Sequence, residues 1–327
     1  LPSQLQIDFG RFVLKIFLET ELGDPLLRPV EAVERDIAEN HLLPRFAESL
    51  YGISDRDAYR AKRLERAIPY EDWWARERER VLAQELIDPV KVMLSESMRL
   101  TPRFAAEYRG FWDLPEDFDF DVACPTVPVQ RAEPGKLTPA QSTAEFLQRS
   151  TAFMPDGAAA IHVATNFTQD TLRDLADEKL SRRAVKDIQS SIKDPDRFDK
   201  WINVLQERLD YDDPIVLPYG EGMNIVKRLS DGEYVIRTDA GADLCRWDEN
   251  WKTGAVVYVR DTIEAMEEVF PKLGHSDPAW QELREYYCPI SGRLLETEAL
   301  PPGYPAVHEY LPDLEGFYNG WLGRELP

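Results

Sequence analysis

The chain carries 327 residues and a formal net charge of −21, with 43% hydrophobic and 30% charged residues. That length is enough for two domains with substantial cores. The acidic balance argues against a nucleic-acid partner, because phosphate binding needs clustered Lys and Arg. Three cysteines, Cys124, Cys245 and Cys288, are too few and too scattered for a disulfide framework, which favours a reducing cytoplasmic compartment.

At the start of the chain the apolar run over 12–18 is broken by Lys15. It reads as an amphipathic docking segment, neither a signal peptide nor a membrane span. Val30, Val33, Ile37, Phe46 and Leu50 follow helical spacing, with Pro44 as a break or a new start. A second helix is expected over 55–67 and a third over 70–86. In the third, Pro69 suits the start, and Trp74, Val81 and Leu82 line one face. Its charge run, Arg76-Glu77-Arg78-Glu79-Arg80, reads as a solvated helix face. A further helix over 89–99 presents Met93 and Met98 to a core or a subunit interface. Phe104, Tyr108, Phe111, Trp112 and Leu114 form an aromatic cluster that, in an isolated helical domain, needs a partner surface. Residues 1–120 are therefore expected to form a helical docking region.

Residues 121–165 are punctuated by Pro125, Pro128, Pro134, Pro139 and Pro155 and read as a long Pro-rich linker at a domain boundary. Within it, a short helix is expected over 139–149. Residues 166–327 form the second domain. Short helices are expected over 168–176 and 181–192. Another begins near Pro195, with Phe198, Trp201, Ile202, Leu205 and Leu209 on one stripe. The β section opens at Ile215, and residues 224–238 alternate across the Ser230-Asp231-Gly232 turn as a hairpin. A last helix covers 262–269, a short strand starts at Leu294, and Phe317, Tyr318, Trp321 and Leu322 form an aromatic tail that packs back on the sheet. The fold class is α+β.

Two turns in this section look like the halves of a zinc-ribbon site. Cys288-Pro289-Ile290-Ser291 has the outline of a Cys-Pro-x-Cys turn with Ser291 in the second cysteine's place. Thr238 and Ala240, ahead of Gly241, stand where a Cys-x-Cys pair would fit. A tetrahedral zinc site needs four sulfur or nitrogen ligands, and of these four positions only Cys288 offers one. The expectation is a zinc-ribbon-like antiparallel domain with its metal ligands mostly lost. Cys288 with Cys245, His275 and His308 is the one conceivable remodelled set, and a structural turn with a buried thiol is the preferred reading. No nucleophile elbow or phosphate loop is present, and Asp212-Asp213 before Pro214 reads as a helix stop. No catalytic or cofactor-binding residue is assigned.

Long phrases in residues 166–327 resemble the acetone carboxylase gamma subunit family: KDPDRFDKWINVLQER at 193–208, DDPIVLPYG at 212–220, WDENWK at 247–252, VRDTIEAMEEVFP at 259–271, REYYCP at 284–289 and HEYLPDLEGFYNGWLG at 308–323. In that family the Cys-x-Cys and Cys-Pro-x-Cys pairs bind zinc. Phrases at 22–37, 45–53, 60–82 and 103–118 are similar to the carboxyl-terminal tail of the alpha subunit of the same enzyme. That subunit's metal and substrate site lies in a main body this chain is not expected to contain. The combined arrangement suggests the related acetophenone carboxylase, whose epsilon subunit has roughly this size. The resemblance implies a non-catalytic but activity-required subunit of an ATP-dependent, biotin-independent ketone carboxylase that forms benzoylacetate. It would dock to large alpha-like and beta-like subunits that hold the ATP and divalent metal. Two alternatives are an assembly factor with no role in turnover and an independent metal enzyme at Cys288.

Overall fold

The structure is a computed structural model that describes residues 23–83, 102–120, 167–177, 179–190, 196–272, 274–309 and 311–327. The expected leading segment, the Met-bearing helix over 89–99, the linker and Cys124 lie outside the described residues.

Several helices begin at a proline or at a capping side chain. Pro29 precedes α1 (Val30–Ala38), and Pro44 opens α2 (Pro44–Ser49) at a position where its missing N–H costs nothing. Asp55 accepts a hydrogen bond from Ala58 N at the head of α3 (Arg56–Arg66). Strand β1 (Ile68–Pro69) then leads into α4 (Tyr70–Leu82), and α5 spans Pro102–Trp112. Thr168 caps α6 (Gln169–Ala176), and α7 (Arg182–Ser190) and α8 (Arg197–Gln206) follow.

Two four-stranded antiparallel sheets make up the β part. The first holds β2 (Ile215–Gly220), β3 (Met223–Lys227), β4 (Tyr234–Thr238) and β5 (Asp243–Arg246) in chain order. The expected hairpin is its β3–β4 pair, which runs from Met223↔Thr238 to Lys227↔Tyr234. The second sheet holds β1, β6 (Val256–Arg260), β7 (Glu282–Tyr287) and β8 (Leu294–Leu300) in that order. Between β6 and β7 lies α9 (Ile263–Glu267), capped by the Thr262 hydroxyl. The α+β class is as expected. Among the described residues no helix is long and apolar enough to cross a membrane.

The helices are not a separate layer. Strand β1 pairs with β6, and one hydrophobic cluster includes Trp73, Tyr108 and Trp112 from α4 and α5 together with Ile225, Ile236, Val257 and Tyr286 from both sheets. This corrects the expectation that the aromatic cluster of 104–114 waits for a partner surface. Trp112 is fully buried within this chain, and its indole N–H and the Tyr108 hydroxyl donate to Gly303 O at 3.1 and 2.9 Å. Trp74 Nε1 donates to Phe111 O at 3.0 Å, fastening α4 to α5.

A second correction concerns α4. Its buried face is Tyr70, Trp73, Glu77 and Val81, while Leu82 is exposed. Glu77 belongs to the charge run expected to be solvated, yet it is buried, with Arg76 and Arg80 reaching it at 3.2 and 3.1 Å. Residues 70, 73, 77 and 81 lie three and four apart and so share one stripe, which carries a carboxylate into the interior along with its two cations. A helix-period reading that takes every charge as polar misses such a position.

Removing one of the tryptophans of the shared cluster tests the packing. Trp112→Ala is expected to lower stability by about 3–5 kcal/mol, measured by urea unfolding. A loss below about 1 kcal/mol would mean that α5 does not contribute to the core.

Candidate functional site

The two turns expected to be half-sites do meet. Thr238 Oγ1 and Cys288 Sγ lie 3.3 Å apart, both residues buried. Each turn closes on its own backbone: Gly241 N donates to Thr238 O at 2.8 Å and Gly292 N donates to Cys288 O at 2.9 Å. Each also carries a left-handed glycine, Gly241 at φ +86° and Gly292 at φ +66°. At Gly292 a side chain is excluded twice, since a Cβ there would stand 2.8 Å from Arg60 O. The turns therefore form a knuckle pair that links the first sheet, at the end of β4, to the second, at the end of β7.

The donors at this junction do not fit zinc. Thr238 Oγ1 already accepts from Ala242 N at 3.1 Å, and Ser291 Oγ accepts from Arg293 N at 3.3 Å. Ala240 has no donor atom, which leaves one thiol where four ligands are needed. Nor are the other candidates gathered. Cys245 Sγ contacts Arg246 O and Glu249 O at 3.0 and 3.5 Å, and burial with nearby carboxylates pushes its thiol up to about 12. His275 Nδ1 contacts Ser276 O at 2.8 Å, and His308 is exposed.

Among the described residues, the acidic and thiol groups close enough to share an ion are instead Glu296, Glu298 and Glu309, with ligand atoms within 4.8 Å of one another. Their centre is taken by Lys252, which is fully buried. Its ammonium donates to Glu298 at 2.8 Å, Val307 O at 2.8 Å, Glu296 at 3.2 Å and Glu309. Glu298 is further held by the Tyr286 hydroxyl at 2.6 Å and Val307 N at 2.8 Å. Four acceptors thus share the three N–H donors of one buried ammonium, which makes its burial tolerable.

Three carboxylates against one ammonium leave negative charge in excess, and the titrations reflect this. Burial, joined by the Glu309 carboxylate and opposed by Lys252, pushes Glu296 up to about 8. Burial also acts to raise Glu309, but its bond to Lys252 and the ammonium's charge win and hold it below its ordinary value. Sequence reasoning missed this cluster. Lys252 closes the phrase WDENWK, and Glu296 and Glu298 sit in LLETEAL, where every charge reads as solvated. The one available signal was the pair of glutamates at alternate positions, Glu296 and Glu298, in a strand otherwise rich in leucine.

An α+β protein in which two glycine-bearing turns meet at the junction of two antiparallel sheets is the class this geometry defines. The family follows from comparison: the chain belongs to the acetone carboxylase gamma subunit family. That family's model matches residues 209–322. The acetone carboxylase gamma subunit of Xanthobacter autotrophicus (strain ATCC BAA-1158 / Py2) is 42% identical over 161 residues, 49% of this chain and 96% of that subunit. The acetone carboxylase alpha subunit of the same organism is 32% identical over 125 residues, 32% of this chain but 16% of that subunit. The acetophenone carboxylase beta subunit of Aromatoleum aromaticum (strain DSM 19018 / LMG 30748 / EbN1) is 33% identical over 79 residues, 24% of this chain and 61% of that subunit.

Two measurements test this geometry. If the turns are the halves of a zinc site, the triple variant Thr238→Cys, Ala240→Cys, Ser291→Cys is expected to bind about one zinc per chain, read by elemental analysis. No uptake would contradict that reading. The Glu296 carboxyl keeps its proton in the fold above its ordinary value of 4.5, so its contribution is complete below that pH and is lost as pH rises to about 8. Glu296→Gln has no such proton, and across this window its stability is expected to decline less than the parent's in urea unfolding. Parallel declines would contradict the assignment.

Proposed function

We propose that this chain is a non-catalytic but activity-required subunit of an ATP-dependent, biotin-independent ketone carboxylase, converting acetophenone and bicarbonate to benzoylacetate. The observation that supports this most is the pairing on one polypeptide of a nearly full-length gamma-subunit likeness with an alpha-subunit likeness. The likeness to an acetophenone carboxylase subunit favours the aryl ketone. In this reading the partners are large alpha-like and beta-like subunits, which carry ATP and the divalent metal, and the place is the one the epsilon subunit holds in acetophenone carboxylase. The knuckle pair supports a structural role, because its donors fit neither zinc nor a nucleophile–base arrangement.

The docking surface differs from the one the aromatic residues suggested. Trp73, Tyr108 and Trp112 are consumed by the chain's own core. The tail divides: in the π-helical stretch Gly316–Leu322, Tyr318 is buried and donates to Val216 O at 2.7 Å, while Trp321 is 59% exposed. Leu311 and Val307, earlier in the same closing stretch of the chain, are also exposed. These are the side chains we assign to contact with the large subunits.

The test is turnover. At equal concentrations of preassembled large subunits, ATP-dependent carboxylation of acetophenone is expected only when this chain is added, and none from the chain alone. Unchanged turnover without it would leave an assembly factor as the correct reading.

A further inference from the structure

A cavity of about 180 Å³ lies between α3 and the face of the second sheet opposite α4. Its floor is apolar, with Leu50, Phe270, Leu283 and Leu294. Its wall is cationic, with Lys62, Arg63, Arg66 and Arg260, in a chain whose net charge is −21.

Most of this positive charge is matched, and the remainder can be counted. Arg63 pairs with Asp24 at 2.8 Å, Arg66 with Glu268 at 2.9 Å, and Arg260 with both Glu268 and Glu285 at 2.8 Å. Glu268 therefore serves two guanidinium groups. Among the described residues, Asp24, Glu268 and Glu285 are three carboxylates against four cations, an excess of one positive charge. Lys62 makes no ion pair among the described residues, and Arg66 Nε is buried without a hydrogen-bond partner. The three carboxylates are engaged: Leu26 N and Leu294 N donate to Asp24 at 3.0 and 3.2 Å, and the Tyr287 hydroxyl to Glu285 at 2.6 Å.

One surplus positive charge over an apolar floor selects a monoanion with an apolar body. Size narrows the class further, because an apolar cavity of about 150 Å³ holds benzene. We propose that this cavity binds a small organic monocarboxylate whose apolar part is about one aromatic ring in size. The carboxylate lies toward Lys62 and Arg66, and the ring on Leu283 and Phe270. On the carboxylase reading, which this last identification rests on, the natural occupant is the aryl 3-oxo acid that the complex forms. The cavity's own chemistry stands without that reading.

The experiment is calorimetric titration of the full chain with benzoate, its neutral isostere benzamide and inorganic phosphate. Benzoate is expected to bind saturably at one site, with benzamide and phosphate each at least about tenfold weaker, or roughly 1.4 kcal/mol. Lys62→Gln, an exposed substitution outside the core, is expected to weaken benzoate by about tenfold while leaving benzamide unchanged. Ala299→Phe, which fills the cavity from its wall, is expected to abolish benzoate binding, with circular dichroism showing the fold retained. Absence of saturable benzoate binding would overturn the proposal. So would equal affinity for benzamide or phosphate, or benzoate binding untouched by either substitution. Because turnover is not the readout, a failure here leaves the carboxylase reading standing, and a failure of turnover leaves the cavity's ligand class standing.

Discussion

Strand β7 is buried at all six of its positions, and the rest of the structure depends on how that is done. Its sequence, ELREYY, carries three charges, so both faces need cover that also supplies partners. On one face Arg284 is paired to Glu282 at 2.7 Å and lies 4.9 Å from the ring of Trp73 on α4. On the other, Arg63 of α3 lies 5.2 Å from the ring of Tyr287, and Glu285 is bonded to Arg260. Both covering helices come from the part of the chain before residue 83, and both matching strands from the part after 255. The charges of β7 pair within the part after 255, and the helices before residue 83 supply the cover over them.

Protein contacts also hold the two turns at the junction of the sheets together. In a zinc ribbon the ion holds the turns together and supplies folding energy outright. Here the turn after β7 is held by protein. Asp24 accepts from Leu294 N, Arg63 Nη1 donates to Gly292 O at 3.3 Å, and Arg293 reaches Asp239 at 2.7 Å across the two turns. The Thr238 Oγ1–Cys288 Sγ contact at 3.3 Å closes the junction between them. The Lys252 cluster follows the same pattern on β8, a side-chain ammonium among carboxylates.

Much of the fold was legible because its local signals were chemical. Asp55, Thr168 and Thr262 cap helices where the sequence places them, Pro44 starts one, and Ser230-Asp231-Gly232 turns the β3–β4 hairpin. The meeting of Thr238 with Cys288 was legible from the spacing of the two turns. What escaped were strands β6 and β7 and single buried charges inside elements that were otherwise expected. Strands β6 and β7 carry Arg260, Glu282, Arg284 and Glu285, which are buried as pairs across or along strands and so break the alternation that marks a strand. Pairing is set by tertiary contact and leaves no periodic trace in a one-dimensional pattern. The same blindness hid Glu77 in α4, Lys252 and the cationic cavity wall. The aromatic residues of 104–114 were recognised as needing a surface, but the surface turned out to be this chain's own.

The central claim is that segments with different relatives, gamma-like and alpha-like, fold as one unit about β7. Native-state hydrogen exchange on the purified chain, followed through increasing denaturant, tests it most directly. The account predicts that the amides of α3, α4 and β7 lose protection together, with one opening free energy. Free exchange of α3 and α4 while β7 stays fully protected would contradict it.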